Sequence, residues 1–145
     1  MTDQTKIILK HNIELSLSSN APATDVAALI CDFFTNYYKD DDDRQYALLI
    51  FNEIYKKYSK DELPAIFFSE FVRLYVNILR ENSSMMSSDT IDFICSNIID
   101  FADIAIKKNP KSNAPYLYLA RFYNLNINSK LLNGLGTKKL AKQYF

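Results

Sequence analysis

The chain has two glycines, Gly134 and Gly136, and none from Met1 to Asn133. That absence constrains the fold more than any other feature. Sheet-rich folds reverse direction through tight turns that need a positive φ, and glycine supplies it without steric cost. A long stretch without glycine therefore favours helices joined by polar turns. Four prolines, Pro22, Pro64, Pro110 and Pro115, punctuate it. Apolar residues make up 48% of 145 residues, enough to give one compact domain a real core.

Apolar spacing predicts where the helices lie. Residues 1–20 allow two readings. Ile13, Leu15 and Leu17 alternate as in a short strand or extended arm, while residues 3–16 also fit a short amphipathic helix. "SSNAPAT" is a loop, which divides an N-terminal segment 1–20 from a helical domain 21–145. Thr24 or Asp25 then caps a helix carrying Val26, Leu29, Ile30, Phe33, Phe34 and Tyr37 at three-and-four spacing. "KDDDD" ends it and places acids at the positive N-terminus of the next helix, which buries Ala47, Ile50, Phe51, Ile54 and Tyr58. Pro64 opens a third helix with Phe67, Phe68, Phe71, Leu74, Tyr75, Ile78 and Leu79. "ENSSMMSS" reads as a loop. Asp89 caps a fourth helix, and "KKNPKSN" leads to a fifth, capped by Asn113. Thr137–Phe145 reads as a sixth. Short connections between helices point to consecutive antiparallel pairs.

Charge and composition exclude several classes. Seventeen basic and 17 acidic side chains give a formal net charge of +0. Nucleic-acid binders draw affinity from phosphate neutralisation and carry a basic excess or stripe. The pairs Lys56-Lys57, Lys107-Lys108 and Lys138-Lys139 read instead as helix-dipole partners or solvated faces. No apolar run is long enough to span a bilayer, and "MTDQTKIILKHN" lacks the layout of a secretory signal. Cys31 and Cys95 sit far apart in apolar helical contexts, as buried thiols of a reducing compartment do. The expected location is therefore intracellular, cytoplasmic or nuclear.

The candidates for chemistry are few. His11 has no adjacent nucleophile or orienting group and reads as a surface residue. Asp40–Asp43 offers hard oxygen ligands, but an EF-hand starting at Asp40 would need Gly and Glu where Gln45 and Phe51 stand. It reads as a helix-capping turn. "GLGTKK" can receive an anion at a helix start, yet reads as a loop and cap. No phosphate-cradling or zinc-protease motif occurs. The expectation is a chain without catalytic activity, cofactor or metal. Ten tyrosines and ten phenylalanines remain, and tyrosine suits surfaces that are apolar at one end and wet at the other.

The later helices resemble a degenerate tetratricopeptide repeat, a helix–turn–helix unit of about 34 residues. Tyr116, Leu119, Ala120 and Tyr123 stand at the spacing W-x2-L-G-x2-Y, with Ala120 as the small contact residue. Pro110 takes the closing proline slot of the preceding unit, and Phe68, Phe71, Val72 and Tyr75 give a looser match. Ala47/Phe51 and Ala141/Phe145 fit the A-x3-F of a second helix. "ALLIFNEIYKKY" is equally similar to a half-a-tetratricopeptide repeat. The pattern departs at Val72, Ile98 and Ala102, and Phe68 and Tyr116 stand 48 positions apart. A plain helical bundle is the alternative architecture.

The resemblance, over roughly residues 44–145, implies an all-α fold of five or six helices in antiparallel helix–turn–helix pairs, stacked right-handedly. It also implies a concave groove lined by first helices, with Asn77, Tyr118 and Arg121 facing it. The function expected is non-catalytic protein–protein binding, as an adaptor or scaffold. Two rivals stand beside it: a self-assembling subunit of a larger complex, and an enzyme of unrecognised type. "LAKQYF" lacks the polar outer face of a terminal repeat. Either the chain is one domain of a longer protein, or its last helix docks on the core or a partner.

Overall fold

The computed structural model describes residues 3–125. They are all-helical: α1 (Asp3–Ser18), α2 (Ala23–Asn36), α3 (Asp41–Lys57), α4 (Ala65–Asn82), α5 (Ser88–Lys108) and α6 (Ala114–Tyr123), with a single 3-10 turn, Ser83–Met85, after α4. The expected helix at Thr137–Phe145 lies outside the described residues. The N-terminal segment forms α1, so it takes the helical alternative and not the strand. The described chain falls into two compact units. The first runs up to Phe67 and the second begins at Phe68.

In the first unit α1 buries only Leu9 and Ile13, one helical turn apart. Long-range polar contacts fix its direction. Lys6 pairs with Asp43, the Tyr46 hydroxyl donates to the Lys10 carbonyl at 3.4 Å, and the Lys57 ammonium donates to the Leu17 carbonyl. These pairs ascend together, so α1 and α3 run the same way. Between α2 and α3 the order reverses. The Tyr58 hydroxyl donates to the Ala21 carbonyl, while Phe33 meets Tyr46 with ring centroids 5.0 Å apart. Val26, Ala27, Ile30, Phe33 and Phe34 of α2 are buried, as are Ala47, Ile50, Phe51 and Ile54 of α3.

Local signals set the ends. Asn20 adopts φ 60°, and the Ala21 N–H reaches back to the Ser16 carbonyl at 3.2 Å. This is the left-handed closure glycine usually makes, performed here by asparagine, the next most tolerant residue. Asp40 caps α3. The Asp43 N–H donates to Asp40 Oδ1 at 3.0 Å and the Asp40 N–H donates to Asp43 Oδ2 at 3.3 Å, a reciprocal box. Two expected caps move. α2 starts at Ala23 behind Pro22, whose carbonyl accepts from Asp25 and Val26, so Thr24 and Asp25 fall within the first turn. α5 is capped by Ser87, whose Oγ accepts from the Thr90 N–H at 3.2 Å, two residues before the expected Asp89.

The second unit is built on rings. Phe71 lies 4.8 Å from Tyr75 and 4.7 Å from Phe101, and Phe68 lies 5.9 Å from Phe101. The Lys108 ammonium stands 6.0 Å from the Phe68 ring. Later α5 residues thus meet earlier α4 residues, so this pair is antiparallel. α6 packs on α5 and buries Leu119, Ala120, Phe122 and Tyr123. Asn113 stands at its cap position without a side-chain bond, and Ser112 Oγ accepts the Ala114 N–H at 3.4 Å instead.

Candidate functional site

The polar face of α4 comes from its register. Glu70, Arg73, Asn77 and Arg80 recur at three- and four-residue steps, which aligns them on one stripe away from Phe68, Phe71 and Tyr75. Arg73 Nε and Glu70 Oε2 form an ion pair, both half-buried. Arg80 donates to Asn77 Oδ1 at 3.1 Å and stands 3.7 Å from Glu81.

Tyr118 of α6 adjoins this stripe. It is half-buried, and its phenol is pushed above its ordinary value, first by burial and then by the negative charge of Glu70. Arg73 and Arg121 pull the other way. The Arg121 guanidinium lies 5.8 Å from the Tyr118 ring centroid, within cation–π range, and is itself exposed. Tyr118 and Arg121, one turn apart, therefore form a pair. Asn77 is tied to Arg80 by its hydrogen bond, and shares its stripe with Arg73. Glu70 and Arg73 were not among the expected site residues, although the spacing of charged and amide side chains along α4 marks them. The inventory is guanidinium donors, a phenol, an amide and a carboxylate already engaged by Arg73. Planar guanidinium groups recognise carboxylates and backbone carbonyls through paired hydrogen bonds.

Beneath this surface lie the residues of the repeat-like spacing. Phe68, Phe71, Tyr75, Leu119, Ala120 and Tyr123 are buried, Tyr116 is half-buried, and Pro110 is exposed beyond the end of α5. Ala120 is fully buried, so no larger side chain fits there without displacing a neighbour. A second opening of about 230 Å3, lined by Ile99, Asp100, Asp103, Ile106, Leu119 and Tyr123, lies between α5 and α6.

The other singled-out residues do not join this surface. His11 is exposed on α1. Asp43 is shielded more than deep. Burial alone would raise its carboxyl, but the Lys6 ammonium and the backbone N–H groups of Lys39 and Asp40 outweigh that and hold it below the ordinary carboxylate value. The acidic run is thus a cap with one acid committed to α1. Cys31 and Cys95 are buried thiols in α2 and α5. "GLGTKK" lies outside the described residues. Among the described residues no helix is long and apolar enough to cross a membrane.

No protein-family model, curated protein sequence or solved structure matches this chain.

Proposed function

We propose that the chain is a non-catalytic protein-binding domain, an adaptor or scaffold, whose second unit receives a partner peptide or helix across α4 and α6. Tyr118 carries this reading. A half-buried ring beside Glu70, Arg73 and Arg121 joins apolar area to directed hydrogen bonding, the combination that dominates protein interfaces. Chain direction reverses between α2 and α3 and between α4 and α5, and Ala120 sits fully buried in α6, which supports the tetratricopeptide-like arrangement. Two buried thiols support an intracellular setting. Self-assembly is the second reading, favoured by Phe93 on α5, a large ring 64% exposed to solvent.

The test is affinity purification of the chain from its source, followed by titration of any stoichiometric partner. Tyr118→Ala should weaken that partner at least tenfold, as truncation of an interface anchor does, while the thermal melt stays unchanged. Intact binding by the variant rejects this surface. Recovery of the chain only with itself, with a mass that rises with concentration, replaces the adaptor reading by self-assembly.

A further inference from the structure

A second surface, in the first unit, is independent of that reading. A trough of about 400 Å3 opens between α1 and α3. Its floor is apolar: Ile50 is buried, Leu17 is half-buried and Leu49 is 56% exposed. Its rim carries Glu14 from α1 with Glu53 and Lys57 from α3. The Lys57 ammonium is committed to the Leu17 carbonyl, where it satisfies the end of α1 and offsets its dipole. Glu14 and Glu53 are exposed and make no ion pair among the described residues. The trough is therefore apolar below, and its rim carries two carboxylates against one ammonium that is turned to the Leu17 carbonyl.

We infer that this trough docks a basic amphipathic helix of a partner protein. Such a helix lays leucine-sized side chains from successive turns on Leu17, Leu49 and Ile50, and sets Lys or Arg against Glu14 and Glu53. The charge selects the occupant. An acidic helix would place like charges against the two carboxylates, and anionic lipid or nucleic acid would meet the same repulsion. Leu49 is a surface residue, so exposing it to a partner costs the fold nothing. Burying its free area is a gain only the complex makes.

The test uses the full chain and three labelled synthetic helical peptides, read by fluorescence anisotropy at low and moderate salt. One carries leucines on a single face flanked by lysines. The second replaces each lysine with glutamate. The third keeps the lysine peptide's composition but scatters its leucines around the helix. Only the first should bind, and more weakly as salt rises. Glu14→Gln with Glu53→Gln should weaken it about tenfold, from two exposed ion pairs lost together. Leu49→Asp should remove binding, while Phe93→Asp, on the second unit, should leave it intact. Circular-dichroism melts confirm that each variant folds. The proposal is overturned if the lysine peptide fails to bind at millimolar concentration, or if the scattered or acidic peptide binds as well. It is equally overturned if folded Leu49→Asp or the double glutamine variant binds like the parent.

Discussion

Helices α1 and α5 are both secured within their own units, but by different means. α5 buries Ile91, Ile94, Cys95, Ile98, Phe101, Ala102 and Ala105, with Phe101 against the rings of α4. α1 buries Leu9 and Ile13 and leaves Ile7, Ile8 and Leu15 more than half exposed. Its remaining attachments are polar: Lys6 to Asp43, the Lys10 ammonium 4.5 Å from the Tyr46 ring, and Lys57 to the Leu17 carbonyl. Apolar burial scales with area and is non-directional, whereas a hydrogen bond or ion pair holds only over a narrow range of distance and angle. α5 is therefore stabilised mainly by area, and α1 is positioned mainly by named pairs.

This contrast predicts unequal responses to substitution. The largest belongs to Phe71→Ala. The ring is fully buried and packed against both Tyr75 and Phe101, so its loss should cost about 3–5 kcal/mol, read as a fall in the urea midpoint. A cost under about 1 kcal/mol would mean that the ring cluster does not dominate the second unit. Ala120→Leu comes next, at about 1–3 kcal/mol, because α6 has no room at that position. An unchanged melt would refute the close helix approach there. Asp43→Asn should be smaller, about 1 kcal/mol, since the amide still accepts cap hydrogen bonds while the pairing with Lys6 is lost. The sign of its pH dependence is fixed. The folded carboxyl titrates below its unfolded value, so its stabilisation is complete above that value. It is lost as pH falls through the lower folded one, below about pH 4. Acid titration of the parent should show that loss, and Asp43→Asn should lack it. Identical acid profiles would remove Asp43 from the account of how α1 is held.

How much of this was legible follows from the same physics. The faces of α2, α3, α4 and α5 read directly, because buried residues at three-and-four spacing are local information. The Asp40–Asp43 run read as a helix-capping turn, although which aspartate caps and the reciprocal bond between Asp40 and Asp43 did not. α1 did not read cleanly, because its exposed isoleucines and Leu15 mask the one-turn spacing of Leu9 and Ile13. The residues that hold it, Asp43, Tyr46 and Lys57, lie in another helix, out of reach of any local pattern. The start of α2 was misplaced because Thr24 and Asp25 are good capping types, whereas Pro22 sets the entry through its fixed φ. Tyr118 and Arg121 were singled out only through the groove that the repeat-like resemblance implies. Their association with Glu70 and Arg73 spans α5 and had no sequence signal beyond the regular polar stripe on α4.

The two buried thiols fall one to each unit, Cys31 in α2 and Cys95 in α5. A thiol reagent reaches a buried sulfur only when its surroundings open, so each half of the chain has its own clock for opening. Equal protection of both sulfurs from modification would mean that the halves open as one cooperative body. Faster modification of Cys31, beyond what its slightly greater exposure gives, would mean that the first unit opens alone, at a lower free energy than the second.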